Sequence, residues 1–199
     1  QQAWQLQADL SVRISAGTHP ASLMLLEHPH TFTFGRRGEL KNLLWNEAEL
    51  KEKQISVHWV DRGGDVTYHG PGQLVGYPLL PLGKPVTGEK HIPSADYVGY
   101  VRKLEQCLIL ALFHLGLAAG QIPGLTGVWV QPDLASRCTR CRPQDRLKPA
   151  KIAAIGVKVD ANGISRHGFA LNLAPDMTYW DGIIACGLVD HPVVSLADV

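Results

Sequence analysis

Apolar positions along the chain alternate between two periods. Near the start, Leu6, Leu10 and Ile14 recur every four residues, and a helix over residues 3–14 gathers them on one face. Two short apolar runs, 22–26 and 31–34, lie on either side of His28-Pro29 and read as strands. Asn46 followed by Glu49 has the spacing of a capping box and opens a short helix to about Lys53. Residues 55–60 and 73–80 return to strand character. The longest helical stripe runs through Val98, Val101, Leu104, Leu108, Leu112 and Leu115. Ser94 is its expected cap, Gly116 or Gly120 its expected end, and Cys107 a small buried residue beside the stripe. Strands at 127–130, 151–159 and 164–173 complete the pattern, the last two joined by Asp160-Ala161-Asn162-Gly163, a hairpin signal. Residues 131–150 have no period and read as an irregular excursion. Strands outnumber helices and pair mostly with sequence neighbours, which predicts an α+β fold.

One segment breaks both periods. RGGDVTYHGPGQLVGYP, residues 62–78, sets five glycines and two prolines around Thr67, Tyr68 and His69. Glycine weakens a strand, so Gly63-Gly64 and Gly70-Pro71-Gly72 mark sharp bends, or backbone lying against something bound. From spacing alone, two tight interstrand loops explain the run as well as amides turned toward an anion or a carbonyl oxygen do.

Bulk composition narrows the classes. A chain of 199 residues, 45% hydrophobic and 19% charged, is expected to form one domain with a substantial core. Nineteen Lys and Arg against 18 Asp and Glu leave a net charge of +1, which gives no global attraction to nucleic acid or an anionic membrane. No apolar run approaches the roughly 20 residues of a membrane helix. Four cysteines in this length do not suggest a secreted disulfide scaffold, and a reducing, cytosolic compartment is expected. The chain opens at Gln1 rather than Met and stops inside what reads as an element, so a longer native chain is expected.

Few residues carry obvious chemistry. Cys186 lies between an apolar stretch and Gly187; alone it reads as a core residue, although the glycine leaves its sulfur open to a second chain. Lys151 alone reads as a solvated strand end. His69 and His167 each precede a glycine, and either could pair with Cys186 in the manner of a cysteine hydrolase. Cys138 and Cys141 have a metal or redox spacing, but there is no second pair to close a zinc site, and no function or incidental oxidation is the expected reading. Around them Arg137, Arg140, Arg142, Arg146, Lys148 and Lys151 face only Asp133 and Asp145.

Together the motifs point further. The run from Arg62 resembles the signature of the lipoate-protein ligase B family, the octanoyl-carrier-protein:protein octanoyltransferases. EHPHTFTFGRR (27–37), GVWV (127–130), KIAAIGVKV (151–159), HGFALNLAPD (167–176) and ACGL (185–188) match the same family in the same order. The resemblance covers nearly the whole chain. It implies the catalytic-domain fold of biotin and lipoate ligases, a mixed β-sheet with packed helices, as a single domain over 1–199 with an irregular basic insert at about 131–150. It implies Cys186 as the nucleophile that takes the acyl group as a thioester, and Lys151 as its partner. Lysine beside cysteine is coherent chemistry: the ammonium lowers the thiol pKa and, after acylation, can give up its proton and act as a base. The family commonly has proline before this cysteine, where this chain has Ala185.

For substrate the resemblance implies Arg62, Gly63, Gly64, Asp65, Val66, Thr67, Tyr68 and His69, then Ala154, Ile155 and Gly156, then Gly168, Phe169 and Ala170. Gly70, His167 and Asn172 are further pocket candidates, Asn172 as a structural hydrogen-bonder. Val66, Leu74, Val75, Ile155 and Phe169 are the expected apolar walls of the acyl slot. The implied reaction moves an octanoyl group from octanoyl-acyl carrier protein to a lysine of lipoyl domains, such as those of 2-oxo-acid dehydrogenases or the glycine-cleavage H protein. No cofactor, metal, nucleic acid or membrane is expected, and a monomer is. The basic insert is expected to steer the acidic carrier protein. The alternatives are an ATP-dependent lipoate or biotin ligase on the same fold, and a non-enzymatic binding or redox module built on Cys138 and Cys141.

Overall fold

The computed structural model describes residues 2–83, 95–187 and 191–199; the side chain of Cys186 lies outside that description. The chain begins with helix α1 (Gln2–Ser15), then β1 (Ser22–Leu26) and β2 (Thr31–Phe34). Helix α2 (Glu47–Glu52) and strand β3 (Ser56–Trp59) lead to β4 (Thr67–His69) and β5 (Gln73–Leu79). The long helix α3 (Tyr97–His114) precedes β6 (Gly120–Ile122), β7 (Leu125–Val130) and the one-turn α4 (Pro132–Ala135). The hairpin β8 (Ala150–Val159) and β9 (Ser165–Asn172) follows, and then short 3₁₀ turns, Met177–Gly182 and Ala185–Gly187 among them.

Two sheets result. The larger is six-stranded in the order β1-β5-β9-β8-β7-β6, with every pair antiparallel. The smaller is β3-β2-β4, where β2 runs parallel to β3 and antiparallel to β4. The expected α+β fold is present, with its mixed pairing in the small sheet. Helix α3 presses Leu108 and Leu112 onto Val128, Val130 and Ile152. Helix α1 presses Leu10 and Ile14 onto Val75, Leu79 and Ile164. A third core, rich in aromatics, joins Phe32, Phe34 and Tyr68 of the small sheet to Met177, Trp180 and Ile183.

Local signals held where their partners are local. Asn46 caps α2, its side chain accepting from the Glu49 amide while the Glu49 side chain accepts from the Asn46 amide. Gly116, at φ +84°, ends α3 in the left-handed region that favours glycine. Three expectations are corrected. The buried face of α1 includes Gln7 and Ser11, while Leu6 is exposed, because distant groups claim the polar side chains. Gln7 Oε1 accepts from the His167 amide at 2.6 Å, and Ser11 donates to Asp160. The cap of α3 is Asp96, accepting from the Gly99 amide at 2.7 Å; Ser94 lies outside the described residues. Cys107 is exposed, since it sits about 100° round the helix from buried Leu108.

Candidate active site

A cavity of about 500 Å³ opens between the two sheets and the start of α1. The glycine run contributes Arg62, Gly64, Thr67 and His69 to its wall; the β8–β9 hairpin contributes Ala154, Ile155, Gly156, His167, Gly168, Phe169 and Ala170. Ala3, Trp4 and Gln7 of α1 close another side, and His28, Thr33, His58 and Tyr77 complete it. Segments about a hundred residues apart therefore meet because β9 pairs with β5 on one side and β8 on the other, in the register Ala170↔Ala154 and Phe169↔Ile155.

The polar groups of the wall are ordered by one another. Arg62 is buried and donates through Nη2 to Thr33 Oγ1 at 3.0 Å and through Nη1 to the Gly63 carbonyl. Gln73 Nε2 donates to the Tyr68 carbonyl and to Asn172 Oδ1, leaving its Oε1 as acceptor, so His69 presents Nδ1–H to it at 2.8 Å. His69 Nε2 is then a bare acceptor, and the Thr33 hydroxyl donates to it at 3.3 Å. Asn172 in turn donates to the Val194 carbonyl. A continuous relay thus runs from Arg62 to residue 194, whose amide donates to the Lys151 carbonyl. Burial drives the His69 pKa down to about 3, so the ring is neutral at physiological pH.

At another part of the wall, His167 takes φ +56°, uncommon for a residue with a side chain. Its Nε2 donates to Asp61 Oδ1 at 2.7 Å, and Lys158 holds the other carboxylate oxygen. The His167 bond, ahead of Lys158, keeps Asp61 well below the usual carboxylate range, while burial lowers His167 itself. The pair is a neutral imidazole donating to an ionised carboxylate.

Comparison with known proteins places this arrangement. Residues 1–199 match the model of the lipoyl protein ligase A/B catalytic domain. The chain belongs to this family. It is 42% identical to an octanoyltransferase of Cytophaga hutchinsonii over 87% of this chain and 63% of that protein. It is 42% identical to one of Chloroflexus aurantiacus over 98% of this chain and 77% of the relative. A third, from Solibacter usitatus, is 43% identical over 98% of this chain and 76% of its own length. The chain therefore spans just under two thirds of the first of these proteins and about three quarters of the other two. Among solved structures, lipoate-protein ligase A bound with ATP superposes with TM-score 0.64 at 14% identity, covering 100% of this chain and 72% of that one. A bi-partite lipoate protein ligase from Thermoplasma acidophilum gives 0.59 at 15% identity, covering 98% and 72%. Both show the ligase A/B catalytic-domain fold.

Within this ligase A/B domain several motif residues serve the wall from behind. Asp65 is buried and accepts from the amides of Val66 and Glu39 and from the Asn42 side chain. Val66 and Tyr68 belong to the aromatic core, and Gly70 exists to let the Tyr68 hydroxyl pass: a Cβ there would lie 1.9 Å from it. The Gly63 amide is taken by the Val157 carbonyl and the Gly72 amide by Glu27, so neither faces a ligand. Of the expected apolar walls, Ile155 and Phe169 line the cavity, whereas Val66 and Val75 point into separate cores and Leu74 packs toward α3's core. Sequence reasoning did not single out His28 and Thr33, although both lie in the matched segment 27–37, and it missed His58 and the α1 residues, which lie outside every motif segment. Thr67 Oγ1 is buried without a hydrogen-bond partner among the described residues.

Neighbours of the two catalytic candidates share one core and one cavity. The Ala185–Gly187 turn packs beside β4, with the Ile184 amide donating to the Asn42 carbonyl. At Gly187, φ +68°, a Cβ would lie 3.3 Å from Asp65 Oδ2, which seats the turn against the glycine run. Lys151 is buried and bridges in parallel to Val193. Val193 and Ala185, each adjoining a candidate, pack in the same aromatic core and line a second cavity of about 420 Å³.

The insert is mostly self-contained. Cys138 and Cys141 are joined by a disulfide, the oxidised state of the pair. Arg142 and Lys148 pair with Asp145, and Arg146 donates to the Cys141 and Thr139 carbonyls. Arg140 reaches outward, to Asp198 and the Val193 carbonyl. Most of the insert's cations are thus bonded within the fold, two of them sharing the single carboxylate of Asp145. Among the described residues, no three His, Cys, Asp or Glu side chains gather to hold a metal, and no helix is long and apolar enough to cross a membrane.

Proposed function

We propose that this chain is an octanoyltransferase of protein lipoylation, moving an octanoyl group from acyl carrier protein to a lysine of a lipoyl domain. Relatives sharing about 42% of its residues carry that name, and the ligase A/B domain match runs its full length. The observation that carries the site is the convergence of four motif segments on one cavity, with the Ala185–Gly187 turn packed beside β4, the strand that gives the cavity Thr67 and His69. Burying the six methylenes of an octanoyl chain there contributes about 5 kcal/mol.

In this reading the Cys186 thiolate attacks the thioester carbonyl and the carrier's thiolate leaves, taking the proton of the Lys151 ammonium. The acceptor amine then attacks the new thioester, Lys151 accepts its proton, and the Cys186 thiolate is released as the amide forms. Thioester exchange is nearly balanced and amide formation from a thioester is downhill, so the acyl donor supplies the driving force. Thr67 is the natural donor to the acyl carbonyl, given its unpartnered hydroxyl on the wall. The chain acts as one catalytic domain, in the cytoplasm where carrier and acceptor meet, as a monomer.

Intact-protein mass spectrometry after mixing with octanoyl-carrier protein, without ATP, tests this. The expected result is one hydroxylamine-labile octanoyl adduct on Cys186, absent from Cys186→Ser. Capture of free octanoate only with ATP would move the chain to the ligase class.

A further inference from the structure

Helix α3 carries a buried carboxylate that the proposed reaction does not use. Glu105 is 0% exposed, on the face that also buries Leu104, Leu108 and Leu112. Removing an ion from water costs several kcal/mol unless its oxygens are matched, and an apolar residue would fill this face without that cost. The oxygens of Glu105 are matched by three donors, one a turn back on α3 and two from β6 and β7. Arg102 Nη1 and Gln121 Nε2 each donate at 2.7 Å, and the Gly127 amide donates at 2.9 Å.

Gly127 is where this carboxylate meets the site. It holds φ +122°, and a Cβ there would lie 2.6 Å from the Ala153 carbonyl and 3.3 Å from Lys151 Cε. The stem of Lys151 therefore runs across the bare backbone of Gly127, and its ammonium ends 4.8 Å from the centre of the Trp129 ring. Beside this crossing the β7–β8 register slips: Val128 opposes Ala153 while Trp129 opposes Lys151, so Ile152 is extra. A bulge of this kind redirects the adjacent side chain. Glu105 thus grips the backbone at the point where the lysine passes.

We propose that Glu105 is a positioning residue for Lys151, fixing the Gly127 backbone so that the lysine stem has one path across the sheet. The inference rests on the reading of Lys151 as the group that takes the acceptor's proton. Its consequence is kinetic: a displacement of about 1 Å at a reacting group can cost on the order of a hundredfold.

Two readouts on the full chain test it. In protein labelled with ¹³C-lysine, the Lys151 Cε–Hε signal, identified by its loss in Lys151→Arg, should be shifted upfield by the Trp129 ring. Glu105→Gln should move that signal toward the other lysines. It should also slow single-turnover octanoyl transfer by about tenfold to a hundredfold, with KM for both substrates within about twofold. Unchanged signal and rate in a variant that folds as the wild type does would overturn the proposal. Should Glu105→Gln not fold, Arg102→Ala removes one donor from the partly exposed end of the pair; it should give a smaller displacement in the same direction, and an unmoved Lys151 signal there refutes the idea. If Lys151→Ala transfers octanoate at the wild-type rate, the reading of Lys151 fails, while the ring-shift result still decides whether Glu105 sets its position.

Discussion

Residues 62–72 and residues 131–150 are both irregular stretches with cations among turn-forming residues, and they are held in opposite ways. In the first, Arg62 and His69 are buried and bonded to groups on β2, β4 and β5, and the relay continues to β9. In the second, most bonds close within a few residues, such as Arg142 to Asp145, and Arg142 remains 70% exposed. A polar residue tied to several distant elements cannot be changed without moving them. One tied to a neighbour three residues away can. Concentrated charge in a sequence is therefore a weaker sign of function than glycine and histidine placed where separate strands must meet.

Substitutions should separate the two stretches by size of effect. Gly168 sits opposite the glycine run on the cavity wall, and a Cβ there would lie 2.1 Å from the Gly76 carbonyl, a backbone atom that cannot step aside alone. Gly168→Ala should cost about 3 kcal/mol in urea denaturation, at the upper end of overpacking effects. A variant as stable as wild type would show that β5 and β9 have slack at the cavity.

Acid should act on the first stretch next. The unfolded chain binds a proton on His69 near the ordinary histidine value of 6.5, while the folded chain refuses it until about pH 3. Stability should be flat above pH 6.5 and fall as pH drops from there toward 3, by about 1.4 kcal/mol per unit for one such proton. Burial lowers His28 and His167 in the same direction, which adds to the slope. His69→Gln should flatten the urea midpoint between pH 6.5 and 4.5 relative to wild type; an identical slope would place the titration elsewhere.

The excursion should tolerate more. Its disulfide closes a loop of only three residues' separation, for which the chain-entropy model gives about 2 kcal/mol at most. Reduction, or Cys138→Ala with Cys141→Ala, should lower Tm by a few degrees and leave octanoyl transfer intact. Loss of transfer on reduction would make the excursion part of the working site. Smallest of all, Arg142→Ala removes an exposed pair and should change stability by less than about 1 kcal/mol. The same variant should leave KM for carrier-bound octanoate within about twofold, and a large rise would support the docking role first expected of this segment.

Much of the site could be read before the fold. The motifs named eleven residues that do line the cavity, Arg62, His69 and Phe169 among them. Others that it named, such as Asp65, Tyr68 and Asn172, support the wall from behind, because a motif records that a segment matters without saying which of its side chains faces inward. The residues it missed include Trp4 and His58, from α1 and β3, whose neighbourhoods carry no motif, and His28, which sits in the matched segment 27–37 without being singled out from it.

By itself the sequence determined what depends on contacts within about four residues: the helix of α3 and its glycine stop, the Asn46 capping box, the β8–β9 hairpin, and the motif segments that assign the family. The tertiary structure alone decided how α1 is turned, why Gly70, Gly127 and Gly168 are glycines, and which histidines share a wall. It also placed Glu105 behind the backbone that Lys151 crosses. The physical reason is range. Local periodicity is set by the geometry of one element, but a bond such as Gln73 to Asn172, or Glu105 to Gly127, exists only once strands from separate parts of the chain have packed.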